Sequence, residues 1–301
     1  MSIDTTNIPE SDRGRENVDP TQNLRRVRSK APIPRRFVLH GTQGPLARLT
    51  PDPPTVLTVK FRNDQAGISD YVSNAIRALW DAHINPDEFS ASWKDLGPII
   101  KVIIAQHYAG SAADAAEYYR NMHVVGGLMF PRVIPAPFDG AHLQRMAGSV
   151  ANGTFYHQLN TQGLPAGRAS EIARNTMSGA GARFALNGAR NTVIRSVAND
   201  PDAMGWDRLI EPDACSYCAA QAAKGPFKPL RTGFRAHDWC KCLAIPALRG
   251  SSMPDPNSAL RMEWNKITGT FTGQEARAAW DKYWVEHGRR ENGNNIQNPS
   301  P

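Results

Sequence analysis

All four cysteines of this chain lie in two short pieces, Cys215-Ser-Tyr-Cys218 and, eighteen residues later, His237-Asp-Trp-Cys240-Lys-Cys242. Thiols and an imidazole at such spacing can do four things. They can bind a metal, act as a nucleophile with its base, form a redox pair, or sit as buried reduced thiols that meet by chance.

The metal reading fits the spacing. Cys-x₂-Cys and His-x₂-Cys are tight knuckles that each aim two soft donors at one ion, and their separation matches a two-knuckle tetrahedral zinc site. Thiolate and imidazole suit zinc better than magnesium or calcium. Five candidates compete for four positions: Cys215, Cys218, His237, Cys240 and Cys242. The preferred set is Cys215, Cys218, His237 and Cys240, with Cys242 as substitute if His237 only supports the ligands. The ion would be structural. Metal binding to finger-like units is worth on the order of 10–16 kcal/mol, more than a loop-rich segment holding Gly225, Pro226, Pro229 and Gly233 can gain from burial alone.

The other readings fit less well. A thiolate attack by Cys215 or Cys218 with His237 as base needs one activated thiol, not five soft donors. A thioredoxin-like pair belongs at the start of a helix in a βαβ unit and leaves Cys-Lys-Cys unexplained. All four cysteines within 28 of 301 residues is a poor fit to chance. His-Glu-x-x-His is absent, and His237 is followed by Asp238 and Trp239 rather than by the His-x-Glu of zinc deaminases. No catalytic residue is assigned.

Positioning such a cluster falls to helices. A first stripe runs Val72, Ile76, Leu79, His83 from an N-cap at Ser69 to a stop at Asn85-Pro86, and a second runs Leu96, Ile99, Ile103, His107. A third helix covers Ala112 to His123. Thr55–Phe61 reads as a short strand or extended arm. Beyond Pro131, Pro135 and Pro137, Asp139 caps a helix to about Gln162, and Ala166–Asn199 reads as one helix or two, weakened by Gly179, Gly181 and Gly188. The Gly179-Ala-Gly-Ala run lacks a preceding strand and the last glycine of a dinucleotide fingerprint, so it serves packing or flexibility. The Gly205–Ala214 run is extended, Leu243–Leu248 is a short strand, and the chain is loose from Gly250 until an amphipathic helix near Gln274–His287 with Trp280 and Trp284.

The fold class expected is therefore mainly α: a multi-helix body ending in a small zinc-stapled α+β module, flanked by disordered tails. The expected divisions are 1–50, a basic disordered arm; 51–135, a helical domain; 136–250, a helical module with the knuckles; and 251–301, a helix and polar tail. Hydrophobic residues at 41% and charged ones at 21% suit a soluble globular protein. No stretch reads as a signal peptide or membrane span, and four cysteines do not make a disulfide framework, so an intracellular setting is expected. The formal charge of +7 favours an acidic partner. Arg25, Arg26, Arg28, Lys30, Arg35 and Arg36 are six cations in twelve residues with no acid between them, either a solvated tail or an arm that lies along phosphates.

The order of parts from Gly188 onward resembles the C-terminal module of MuF-like minor head proteins of tailed phages. It comprises Arg190-x-Thr192, Asp200-Pro201, Gly205-Trp206-x-Arg208, Cys-x₂-Cys, His-x₂-Cys-x-Cys and an apolar strand. Versions from phages of actinobacteria, often labelled head morphogenesis or capsid maturation proteins, are the most similar. SWKDL and AAEYYRNMH in the first half look like the same group, so the resemblance covers about Ser69 to Leu248. It implies a component of the virion, assembled in the host cytoplasm. Such a component would act in prohead assembly near the portal and contact portal or major capsid protein, with packaged DNA near the arm. Many relatives carry a maturation-protease label, yet no Ser-His-Asp, Ser-Lys or Cys-His arrangement is evident here. A capsid maturation protease is the first alternative and a zinc-containing nucleic-acid-binding protein the second. Only Lys224, Lys228, Arg231, Arg235 and Lys241 surround the knuckles, a modest positive charge for the latter.

Overall fold

The computed structural model describes residues 53–211, 214–228, 233–249 and 257–286, so the basic arm and the polar tail lie outside the described residues. Helix α1 spans Pro53–His83 and α2 spans Phe89–Val125, joined by a 3₁₀ turn at Pro86–Glu88. The stretch expected to be a short strand or extended arm, Thr55–Phe61, lies inside α1. Phe61, Gln65, Ser69, Val72, Ile76 and Trp80 are all buried at helical spacing, and this face overrides the β preference of a Thr/Val run. Ser69 is therefore a mid-helix residue and not an N-cap. The second and third expected helices are one, α2. Its buried stripe is Leu96, Ile100, Ile104, Tyr108, one residue out of register with the expected one, and Ile99 is 48% exposed.

Helix α3, Gly140–Tyr156, starts as expected at Asp139, whose carboxylate accepts from the His142 amide, and runs into a π turn at His157–Thr161. Helix α4, Ala166–Ala198, is a single helix buried nearly all round, the pattern of an element at the centre of a bundle. Its glycines let neighbours approach. A Cβ on Gly188 would lie 2.1 Å from the Tyr108 carbonyl oxygen of α2. The divide expected near 135 falls in a segment without helix or strand, yet Val72, Ile100, Leu143, Met177 and Ala180 from both sides share one core.

After α4 the chain forms β1, Ala203–Leu209, then the short helix α5, Ser216–Ala222, and β2, Leu243–Leu248. The two strands pair antiparallel with Arg208 opposite Ala244 and Leu209 opposite Leu243. Their apolar side joins Phe61, Tyr119, Val193 and Trp206 in a second core, so the sheet sits on the ends of α1, α2 and α4. The region after Gly250, expected to be loose, carries helix α6, Ser258–Thr268, ahead of the expected last helix, α7, Gly273–Glu286. Arg261 of α6 pairs with Asp207 of β1 at 2.7 Å and donates to the Gly225 carbonyl at 2.8 Å. Among the described residues no helix is long and apolar enough to cross a membrane. The fold is mainly helical with a two-stranded sheet and a Cys/His cluster, as expected.

Candidate metal centre

Cys215 caps α5 and Cys218 lies in its first turn, an i, i+3 pair that shares one helix face. The other knuckle is a turn closed by the Cys240 amide donating to the His237 carbonyl at 3.1 Å. Its third residue, Trp239, has φ 66°, a left-handed backbone usually taken by Gly or Asn and costing a Trp about 1–3 kcal/mol. The indole ring holds it there. Arg77 lies over it at 4.6 Å, and a Cβ on Gly179 would come within 2.5 Å of its Nε1. Ion pairs from Arg183 to Asp238 (2.9 Å) and Lys241 to Asp70 (2.6 Å) tie the same turn to α4 and α1.

All five expected ligands converge. They form two groups of three, Cys215, Cys218, His237 and Cys218, Cys240, Cys242, sharing Cys218, and each group is tight enough to hold a metal ion. The preferred four, Cys215, Cys218, His237 and Cys240, straddle the two groups and do not form a single group of that tightness. His237 Nε2 is 3.2 Å from Cys215 Sγ and 3.4 Å from Cys218 Sγ, and Cys218 Sγ is 3.7 Å from Cys240 Sγ. A tetrahedral zinc with bonds of about 2.3 Å to sulfur and 2.0–2.1 Å to nitrogen has edges of about 3.5–3.8 Å, so these contacts are close to coordination edges. His237 Nδ1 donates to the Asp238 carbonyl at 2.7 Å, leaving the Nε2 lone pair for an ion, as metal-bound histidines are usually held.

The protonation pattern of the sulfurs also suits a cation. Hydrogen bonds from Cys218 and then His237 pull the Cys215 thiol down to about 3 against the effect of burial. Cys218 and Cys242 hold Cys240 well below the ordinary thiol range. Cys215 first, then Cys240, Cys242 and burial, push the Cys218 thiol far up. Cys242 is drawn down by Cys218, but Cys240 and burial carry it up to about 12. Burial lowers His237, and Cys215 and Cys240 outweigh it. Ligation of a soft divalent ion would displace the thiol protons that such a cluster holds.

Two buried arginines support it. Arg208 of β1 places Nη1 3.6 Å from Cys218 Sγ and 4.0 Å from Cys240 Sγ, donates Nη2 to the Arg235 carbonyl at 2.6 Å, and stacks on Phe234 at 3.8 Å. Arg190 of α4 donates to the Cys240 and Cys242 carbonyls at 2.6 and 3.0 Å. Burial pulls its guanidinium down to about 10, with Cys240 and Cys242 pulling it back up. From the other side α7 clamps the first knuckle: Trp280 and Trp284 each donate an indole N–H at 3.0 Å, to the Ser216 and Ala214 carbonyls that flank Cys215.

The family model described as VG15 protein matches residues 55–267. The chain belongs to the VG15 protein family. That family is one of phage virion-associated proteins, which makes this a phage virion-related protein. The matched span contains both knuckles, Arg190 and Arg208. No curated protein and no solved structure matches the chain.

For this VG15-family chain, the sequence shows the five candidate ligands that the fold brings into two neighbouring groups, and not the residues that surround them. Arg190 and Arg208 were visible as motif members in Arg-x-Thr and Gly-Trp-x-Arg, but nothing local says that two cations 18 positions apart meet at one cluster. Trp280 and Trp284 stood out only as a helix stripe. Arg25, Arg26, Arg28, Lys30, Arg35 and Arg36 lie outside the described residues.

Proposed function

We propose that the protein is a minor capsid or head morphogenesis protein acting in prohead assembly near the portal. One structural zinc ion would hold its C-terminal module together. Membership of a virion family supports the particle. The resemblance of residues from Gly188 onward to MuF-like modules supports the role in the head. The observation that carries the structural reading of the site is the immobilised donor set. Helix α5, the turn at His237–Cys242, two buried arginines and two indoles hold the cluster, as a staple requires, and no single thiol stands apart from the other donors as a nucleophile would. Portal or major capsid protein is the partner proposed, with the arm from Arg25 to Arg36 near packaged DNA.

A capsid maturation protease is the second reading, and one contact favours it: a low-lying Cys215 thiol 3.2 Å from His237 Nε2. Against it, Cys218 shares the same nitrogen at 3.4 Å, and His237 Nδ1 meets a backbone carbonyl rather than a carboxylate. One experiment separates them. Virions carrying wild-type protein or Cys215→Ser are resolved on a gel, and the N-terminus of the major capsid protein is read in each. The staple reading expects the protein in wild-type particles and an unchanged major-capsid N-terminus in both. Loss of capsid cleavage with the variant still folded establishes the protease. Absence of the protein from wild-type particles and proheads overturns the head assignment.

A further inference from the structure

Away from the cysteines, His123, Asp200 and Asp202 place one imidazole nitrogen and two carboxylates within 4.8 Å of one another. His123 lies in the last turn of α2 and is fully buried. Asp200 and Asp202 lie in the turn between α4 and β1, and the Asp200 side chain is 4% exposed. Within that turn the Asp202 amide donates to Asp200 Oδ1 at 2.9 Å.

The imidazole is held in one orientation. Its Nδ1 faces the Tyr119 carbonyl at 3.1 Å, which can only accept, so Nδ1 carries a proton. That leaves Nε2, 2.8 Å from Asp200 Oδ2, within hydrogen-bonding distance but without the alignment, so that this fully buried atom makes no hydrogen bond. Asp200 Oδ2 is already the acceptor of the Tyr119 hydroxyl at 2.7 Å. Burial and the hydrogen bond to Asp200 push the Tyr119 phenol far up, so it stays a donor. In the neutral ring the Nε2 lone pair and the carboxylate oxygen at 2.8 Å repel each other unless a cation lies beside both, whereas a protonated ring would make an ion pair with Asp200. With bonds of about 2.0–2.2 Å, the edge between neighbouring octahedral ligands is about 3 Å, close to this contact. Histidine donating its other nitrogen to a backbone carbonyl is the usual support of a metal ligand.

We propose that His123 Nε2, Asp200 Oδ2 and the Asp202 carboxylate form a second cation site, for a first-row divalent ion with mixed nitrogen and oxygen preference such as Mn²⁺. The donor set differs in kind from the thiolate cluster, since carboxylate and imidazole suit harder ions. Bound there, the ion would lock the end of α2 to the turn that launches β1. The site does not depend on the zinc assignment.

The test is Mn²⁺ titration of the full chain, read by electron paramagnetic resonance as loss of the free-ion signal. Mn²⁺ competes poorly for thiolates, so the cysteines do not enter the result. Wild-type protein should remove about one equivalent of signal, as one such site predicts. Asp202→Asn, a half-buried position, should weaken binding by about tenfold or more, since even supporting contacts are worth 10–100-fold, with far-UV circular dichroism unchanged. Asp202→Ala should behave alike. No saturable binding by wild type, or equal binding by both folded variants, overturns the proposal. So does a ¹⁵N spectrum in which His123 Nε2 keeps a proton in the presence of Mn²⁺, which identifies a buried imidazolium–carboxylate pair.

Discussion

Arg208 Nη1 lies 3.6 Å from Cys218 Sγ, and both side chains are 1% exposed. Cys218 is the sulfur common to both ligand groups, so the cation of β1 rests against the hinge of the cluster. Several thiolates around one divalent ion leave a net negative charge, and a buried charge needs a partner. Arg208→Met should therefore lower unfolding free energy by about 3–5 kcal/mol, the loss seen when one partner of a buried ionic contact is removed. It should also speed zinc transfer to a chelator. Chemical denaturation and a colorimetric zinc-release assay measure the two effects. A stable variant that holds its metal as the wild type does would remove Arg208 from this role.

The sharing of Cys218 makes a ligand-by-ligand prediction. Metal analysis of wild-type protein should give about one zinc per chain, as one tetrahedral site requires. Cys218→Ser should abolish binding, because either group loses a member. Cys215→Ser and Cys242→Ser then separate the groups, and the less affected variant marks the spare cysteine. Folded wild-type protein with no metal after growth in zinc would end the staple reading.

Trp280 reaches the first knuckle through a single indole N–H, at 3.0 Å from the Ser216 carbonyl. Trp280→Phe keeps most of the apolar contact and removes that donor. Zinc affinity should fall by about 10–100-fold, the range for contacts that orient ligands, measured by competition with a chelator of known affinity. An unchanged affinity would mean that α7 only covers the knuckle.

Asp207 supplies a pH test. Burial raises its carboxyl, and Arg261 lowers it only in part, so the native value stays above the usual one. A raised acid keeps its proton in the folded chain at pH values where the unfolded chain has lost it. Stability from this group therefore falls as pH rises from its unfolded value, about 3.9, to its native value, and is flat beyond. Urea unfolding of the protein as isolated across pH 3.5–7 should show a shallower fall with pH in the Asp207→Asn variant than in the wild type, the pH dependence of the metal centre being common to both. Identical slopes would count against it.

The basic arm can be tested by deletion. Removing residues 1–36 takes away Arg25, Arg26, Arg28, Lys30, Arg35 and Arg36, and DNA binding on a filter should weaken and lose part of its salt dependence, because fewer counterions are released. Binding with the same salt slope would place the DNA contact elsewhere or nowhere.

The Cys/His spacing by itself determined the candidate ligands, because a knuckle is local: a few residues and one turn fix where two side chains point. The Asp139 cap, the Leu243–Leu248 strand and the last helix were legible for the same reason. Thr55–Phe61 was not, because its β-rich composition was outweighed by a buried face formed with distant helices. Helix α6 was not, because Arg261 finds Asp207 and Gly225 only after folding. The tertiary structure alone decided that Arg190, Arg208, Trp280 and Trp284 meet around the cysteines, and that His123 faces Asp200 across 77 positions of chain. Charges and indoles separated this far in sequence acquire a shared function only through the burial that brings them together.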